Sequence, residues 1–222
     1  MKKRVQFLAL VCIFLGMGAV SAHSAVYSFS AVDGSGAPDM RDLDHNYVYL
    51  WSFNWSLPAD QHISQATLTF KNIYDWTRET DVLSVFLLNN IESTAGWTPV
   101  ASAASSTYQK QDIQSLAAVA WPAAETIRIG QWSDAYGGYS RNFDLVFDLA
   151  SLGFLDELSR FASDGPAGNR NFGIGLDPDC HYYNDGIELR ITTAPVPVPE
   201  PVTGLLLGIG LVGIAAAGRK AR

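Results

Sequence analysis

Tyr47-Val48-Tyr49-Leu50-Trp51-Ser52-Phe53-Asn54-Trp55 carries an aromatic ring at every second position. In an extended chain, residues two apart share a face. Tyr47, Tyr49, Trp51, Phe53 and Trp55 therefore fall on one side, and Val48, Leu50, Ser52 and Asn54 on the other. A period of 3.6 residues would scatter the rings, so the stretch predicts a β-strand with one aromatic face. The same period recurs on both sides of it. Ala66-Thr67-Leu68-Thr69-Phe70-Lys71-Asn72-Ile73 alternates apolar and polar residues, as do Thr126-Ile127-Arg128-Ile129-Gly130-Gln131-Trp132 and Asn142-Phe143-Asp144-Leu145-Val146-Phe147-Asp148-Leu149. Residues 81–88 form a more apolar run, the pattern of a central strand. Residues 171–176 and 186–191 complete the set, and Val26-Tyr27-Ser28-Phe29 starts it.

Clusters of Gly, Pro, Asn and Asp separate these segments. About eight strands punctuated in this way predict an all-β domain over residues 23–193, an antiparallel two-sheet sandwich of jelly-roll-like form. One short helix interrupts it. Ser151 is placed to cap that helix, Leu152, Leu155, Leu158 and Phe161 fall near one face, and Gly165 stops it. The Ala/Ser stretch 101–106 reads as a loop, and residues 115–119 as a short helical turn.

The two ends carry an address. Lys2-Lys3-Arg4 precedes an apolar run over residues 5–20, broken only by Gln6, and Ser21-Ala22 follows. A basic start, an apolar middle and small residues are the parts of a secretory signal peptide, here residues 1–22. Its partners are the Sec export machinery and signal peptidase. At the other end, residues 194–201 place a proline at alternate positions, which holds the chain extended and outside any sheet. Residues 202–218 carry no charge, at the short limit for a transmembrane helix. Arg219-Lys220-Ala221-Arg222 closes the chain as a basic tail at residues 219–222, which the positive-inside tendency leaves on the cytoplasmic side.

Val198-Pro199-Glu200-Pro201, the apolar stretch and the basic end with Arg219 and Lys220 resemble the PEP-CTERM sorting signal of Gram-negative bacteria. The resemblance covers residues 198–222. It implies that Pro199, Glu200 and Pro201 are recognised by an exosortase, a membrane protease that cleaves near them. It also implies a route: export across the inner membrane, transient anchoring, then the cell surface or an extracellular matrix rich in polysaccharide. Gln65-Ala66-Thr67-Leu68-Thr69-Phe70, the helix, Phe172-Gly173-Ile174-Gly175-Leu176 and Asp177-Pro178-Asp179-Cys180-His181-Tyr182 are similar to uncharacterised β-sandwich domains of other PEP-CTERM proteins. That second resemblance implies a fold and no chemistry.

Setting aside three basic residues at each end leaves nine in the domain, against twenty-one acidic residues once Glu200 is removed, a balance near −12. Nucleic acid is excluded as a partner, because phosphate binding needs clustered Lys and Arg. Cys12 lies in the signal segment, so Cys180 is the sole cysteine of the exported part and no internal disulfide can form. Cys180 reads as a small buried apolar residue.

The densest polar stretch is Asp177-Pro178-Asp179-Cys180-His181-Tyr182-Tyr183-Asn184-Asp185-Gly186. Asp177, Asp179, Asn184 and Asp185 offer oxygen ligands for a structural Ca²⁺, with Asp42 and Asp44 as further donors. The spacing departs from an EF-hand, and the same residues are turn formers, which is the favoured reading. No other cofactor is expected. His45 and His62 show no paired spacing with His181, which argues against zinc. Catalysis by Cys180 with His181 fails because neighbours on a strand point to opposite faces.

Asp144 with Asp148, and Asp156 with Glu157, are the acidic pairs a polysaccharide-cleaving or -modifying enzyme would use, and the period places the first pair outside. Trp132, Tyr136 and Tyr139 lie in or beside a Gly-rich loop, and Trp76 in another. Rings in loops are platforms for a sugar's C–H face, or else plugs for the ends of the core. The leading expectation is a non-enzymatic surface protein that contacts extracellular polysaccharide. The alternatives are that enzyme and a purely structural matrix protein.

Overall fold

The computed structural model describes residues 23–31, 40, 42–75, 77, 79–91, 94–103, 106–112, 120–134, 143–164, 171–197 and 210. The expected signal segment and, but for residue 210, the expected sorting tail lie outside the described residues. So do Trp76, Tyr136, Tyr139, Gly165 and the 115–119 turn. Among the described residues no helix is long and apolar enough to cross a membrane.

Two antiparallel sheets face each other. The first is organised by β4 (Gln61–Asp75), whose burial alternates almost residue by residue. The strand β12 (Ile187–Pro195) pairs with β4 over residues 61–70, and β11 (Tyr182–Tyr183) pairs with Tyr74 and Asp75. On Thr67–Phe70 the strand β9 (Phe143–Asp148) also pairs with β4, so β9 and β12 occupy its two edges. Outside them, β1 (Ala25–Ser30) pairs with β12 and β2 (Asp42–Leu43) with β11. The second sheet runs β6 (Thr98–Ala103), β7 (Ser106–Asp112), β3 (Tyr47–Phe53), β10 (Phe172–Pro178), β5 (Asp81–Ile91), β8 (Ala123–Asp134).

The core lies between the sheets. Leu68, Phe70, Ile73, Leu189 and Ile191 come from the first sheet; Trp51, Phe53, Leu87, Phe172 and Ile174 come from the second. The 47–55 alternation does what its period requires: Tyr49, Trp51 and Phe53 enter this core, while Val48 and Leu50 go to the other face. Burying each large apolar side chain stabilises the fold by about 1.5–3 kcal/mol. At the margin where β8 meets β9, a side chain at Gly130 would lie 2.3 Å from the Phe147 ring, so glycine lets the two sheets close there.

Three expectations need correction. Ala194 and Pro195, expected outside any sheet, are the last residues of β12 and pair with His62 and Gln61 of β4. Residues 101–103 and 106 do not lie in a loop; residues 104–105 lie outside the described residues. Ala101–Ala103 belong to β6 and Ser106 begins β7, a hairpin added to the edge of β3. Ala and Ser carry no periodic signal; the backbone ladder makes this pairing. The single helix is two: α1 (Leu149–Leu152) and α2 (Leu155–Ser163). The cap is Asp148, whose carboxylate accepts from the N–H groups of Ala150 and Ser151, while Ser151 Oγ donates to it. Gly153, at φ 82°, breaks the run, so Leu152 is exposed and Leu149, Leu158 and Phe161 are buried.

Candidate functional site

The outer face of the second sheet is shaped by β10. Phe172-Gly173-Ile174-Gly175-Leu176 sends its large side chains inward and leaves glycines outward. Phe86, Gly175 and Leu50 lie in register across β5, β10 and β3. A Cβ at Gly175 would meet the benzo ring of Trp121 at 2.9 Å, so that ring is seated where any side chain would stand. Its centroid lies 5.4 Å from that of Phe86 and 6.0 Å from that of Trp97. Beneath them Val48, Leu50 and Leu88 are fully buried, while Trp121 stays partly exposed.

Polar groups border this aromatic cluster. Arg128 pairs in register with Phe86, and Ser84 lies between Gln131 and Asp177. Asp177 stands two residues from Gly175, on the same face of β10. Burial, and next the charge of Asp179, hold its carboxyl above the usual carboxylate range. A ring edge beside a carboxylate, an amide and a guanidinium can take the apolar face of a sugar and its hydroxyls together.

A second cluster sits where β2 turns toward β3. His181, just before β11, has its Nδ1 3.0 Å from both carboxylate oxygens of Asp42 and its Nε2 3.6 Å from Asp44 Oδ1. His45 Nδ1 lies 3.8 Å from the same Asp44 oxygen, and the two imidazoles meet edge to face at 5.0 Å. Among the described residues, Asp44, His45 and His181 are the one group of three His, Cys, Asp or Glu side chains whose ligand atoms come within 4.8 Å of one another. The turn is firmly held. Asp44 N–H donates to Tyr49 Oη at 2.6 Å, and Asp44 Oδ1 accepts from both the backbone and side-chain nitrogens of Asn46 at 2.8 Å. Tyr49 is buried, and its phenol is held well above its usual range by that burial.

The residues singled out in the sequence fall elsewhere. Trp132 turns inward: its ring packs 5.4 Å from Tyr182 and 5.5 Å from Phe143, against the main core. It closes one end of the sandwich. Asp179 Oδ1 accepts from Val82 N–H and from Tyr182 Oη. Asn184 donates to Met40 O at 2.8 Å and accepts from Gly186 N–H at 2.9 Å, and Asp185 accepts from Asn72 Nδ2 at 2.8 Å. Only the Asn184–Gly186 and Asp179–Tyr182 bonds stay within the loop, as turn residues bond; the others tie it to Val82, Met40 and Asn72. Asp177, Asp179 and Asp185 do not gather into a common ligand set.

The acidic pair on β9 is likewise engaged. Asp144 accepts from Asn72 N–H, and Asp148 caps α1, its carboxyl held below the usual range first by the Ser151 hydroxyl and then by backbone N–H groups. A glycosidase acid needs a shift in the opposite direction. Cys180 is buried and faces Thr77 Oγ1 at 3.7 Å, while His181 turns to Asp42 and Asp44. Burial pushes the Cys180 thiol up to about 11, away from nucleophilic use.

Trp121 and the His45–His181 pair were not legible as sites. The alternate glycines of β10 are a signal for the first, since glycine inside a strand marks close approach. Nothing local marks the second: its members meet only because β11 pairs with β2. No family model matches the chain, and no curated protein matches it.

Proposed function

We propose that this is an exported protein, sorted by its PEP-CTERM-like tail to the cell surface or matrix, whose sandwich is non-enzymatic and contacts extracellular polysaccharide. The address rests on the order of features over residues 198–222: Val198-Pro199-Glu200-Pro201, an uncharged stretch, then Arg219 and Lys220. An exosortase reads the motif after Sec export and signal-peptide removal.

The domain's part rests on one observation, the Trp121 ring seated on Gly175 against Phe86. We read the fold as a jelly roll. The orders β1-β12-β4-β9 and β3-β10-β5-β8, with β3, β4, β5 and β8, β9, β10 alternating between sheets, support that reading. The β6–β7 hairpin is then an addition at the β3 edge. In such a sandwich a broad sheet face is a natural place for an extended chain of sugars.

The test is retention of the full chain on secreted matrix polysaccharide, with tryptophan fluorescence followed on titration. Retention is expected, and Trp121→Ala weakens it about threefold to tenfold, the worth of one aromatic contact. No retention together with unchanged emission removes the polysaccharide reading. Glu200→Ala tests the address separately: the altered chain is expected to stay at the membrane with its tail attached, and normal release would remove the sorting reading.

A further inference from the structure

We infer that Asp44, His45 and His181 form a binding site for a divalent ion of the zinc type, with Asp42 as the group that orients His181. Four features carry this. Two imidazoles and a carboxylate converge, a ligand set that suits zinc-like ions and is poor for Ca²⁺, which takes six to eight oxygens. The distances fit. Bonds of about 2.0–2.1 Å in a tetrahedron place ligand atoms about 3.3–3.4 Å apart. Here His181 Nε2 and His45 Nδ1 lie 3.6 and 3.8 Å from Asp44 Oδ1, so small side-chain turns close the set.

His181 is also held as metal-bound histidines are. Its Nδ1 faces both oxygens of Asp42 at 3.0 Å, which fixes that proton toward Asp42 and leaves Nε2 with its lone pair toward Asp44 and His45. Tyr183 stacks on the same ring at 6.4 Å and 21°. Finally, Tyr49 and Asn46 fix Asp44 before any ion arrives. Three protein ligands leave one position for water or an outside group. His45 is 48% exposed and His181 22%, so an ion can enter from solvent. Bound there, it would join the 42–45 turn to His181, adding to the two-residue β2–β11 ladder and the His181–Asp42 contact.

The test uses the purified full chain, stripped with a chelator and titrated with Zn²⁺ by calorimetry, with Ca²⁺ as the control. Co²⁺ absorption reports the ligand geometry. Saturable binding of one Zn²⁺ per chain is expected, unaffected by Ca²⁺, with the intense visible bands of tetrahedral Co²⁺. His45→Gln and His181→Gln should each weaken Zn²⁺ binding at least tenfold. Asp42→Asn should weaken it by about 10- to 100-fold while keeping the stoichiometry, the signature of an orienting group. Circular dichroism checks each fold, and exposed His45 carries the test if His181→Gln does not fold. Absence of Zn²⁺ binding, or binding unchanged by either histidine substitution in a folded chain, overturns the inference. Polysaccharide retention is a separate readout, so the two readings fail independently.

Discussion

On the outer face of the first sheet, Lys71 and Glu188 pair at 2.9 Å, Thr67 and Thr69 are partly exposed, and Arg190 is exposed. On the outer face of the second, Val48, Leu50 and Leu88 are sealed beneath Trp97, Trp121 and Phe86. Both sheets are antiparallel, but the first has an open, solvated side, whereas the second is covered over β3 and β10 and meets water mainly at its β8 edge. The difference is visible in the strands. β4 alternates because one of its faces meets water, whereas β3 and β10 are buried nearly throughout because both of their faces are covered. A doubly covered sheet needs something to cover it, and here tryptophans do so while keeping part of one ring in solvent.

Substitutions can break that contrast, beginning with the core both sheets share. Trp51→Ala should cost about 3–5 kcal/mol, read as a lower denaturant midpoint. A loss under about 1 kcal/mol would mean the sheets do not depend on this ring. Gly175→Val acts on the second sheet's outer face alone. It should cost about 1–3 kcal/mol by displacing Trp121, with a red shift in emission as the ring meets water. Unchanged emission would show that the ring is not seated on Gly175.

A smaller effect belongs to the edge of the first sheet. The Asp148 carboxyl is lowered in the folded chain, so its contribution is complete above the ordinary carboxylate range and disappears as pH falls through the folded value. The stability gap between the wild type and Asp148→Ala should therefore be present at neutral pH and close in acid; a gap independent of pH would deny the cap its ionic character. The smallest effect is expected from Lys71→Ala, within about 0.5 kcal/mol in thermal unfolding, because the pair is exposed. A larger loss would show that the first sheet's outer face is not merely solvated.

Much of the fold was legible where periodicity is strong. The rings of 47–53 and the 66–73 alternation each became strands with the expected inward residues, because burial on a known face imposes a period of two. The β6–β7 hairpin was not legible, since Ala101, Ser102 and Ala103 show no apolar–polar period that would mark a strand. The helix boundary shifted because Asp148 ends a strand and caps a helix at once. Trp132, which the sequence offered either as a sugar platform or as a plug for the core, packs against the core, because it pairs in register with buried Leu83.

By itself the sequence determined the class of the fold and which strand faces seek cover, because alternation is a local property that needs no partner. It also carried the expected address, since a signal peptide and a sorting tail are read as linear order. Only the tertiary structure decided which polar groups share a site. His45 and His181 are 136 positions apart, and in the Asp177 loop that looked richest in ligands Asp179 and Asp185 accept instead from Val82 and Asn72 on distant strands. Ligands converge through strand pairing across distant segments, and no spacing along the chain records that.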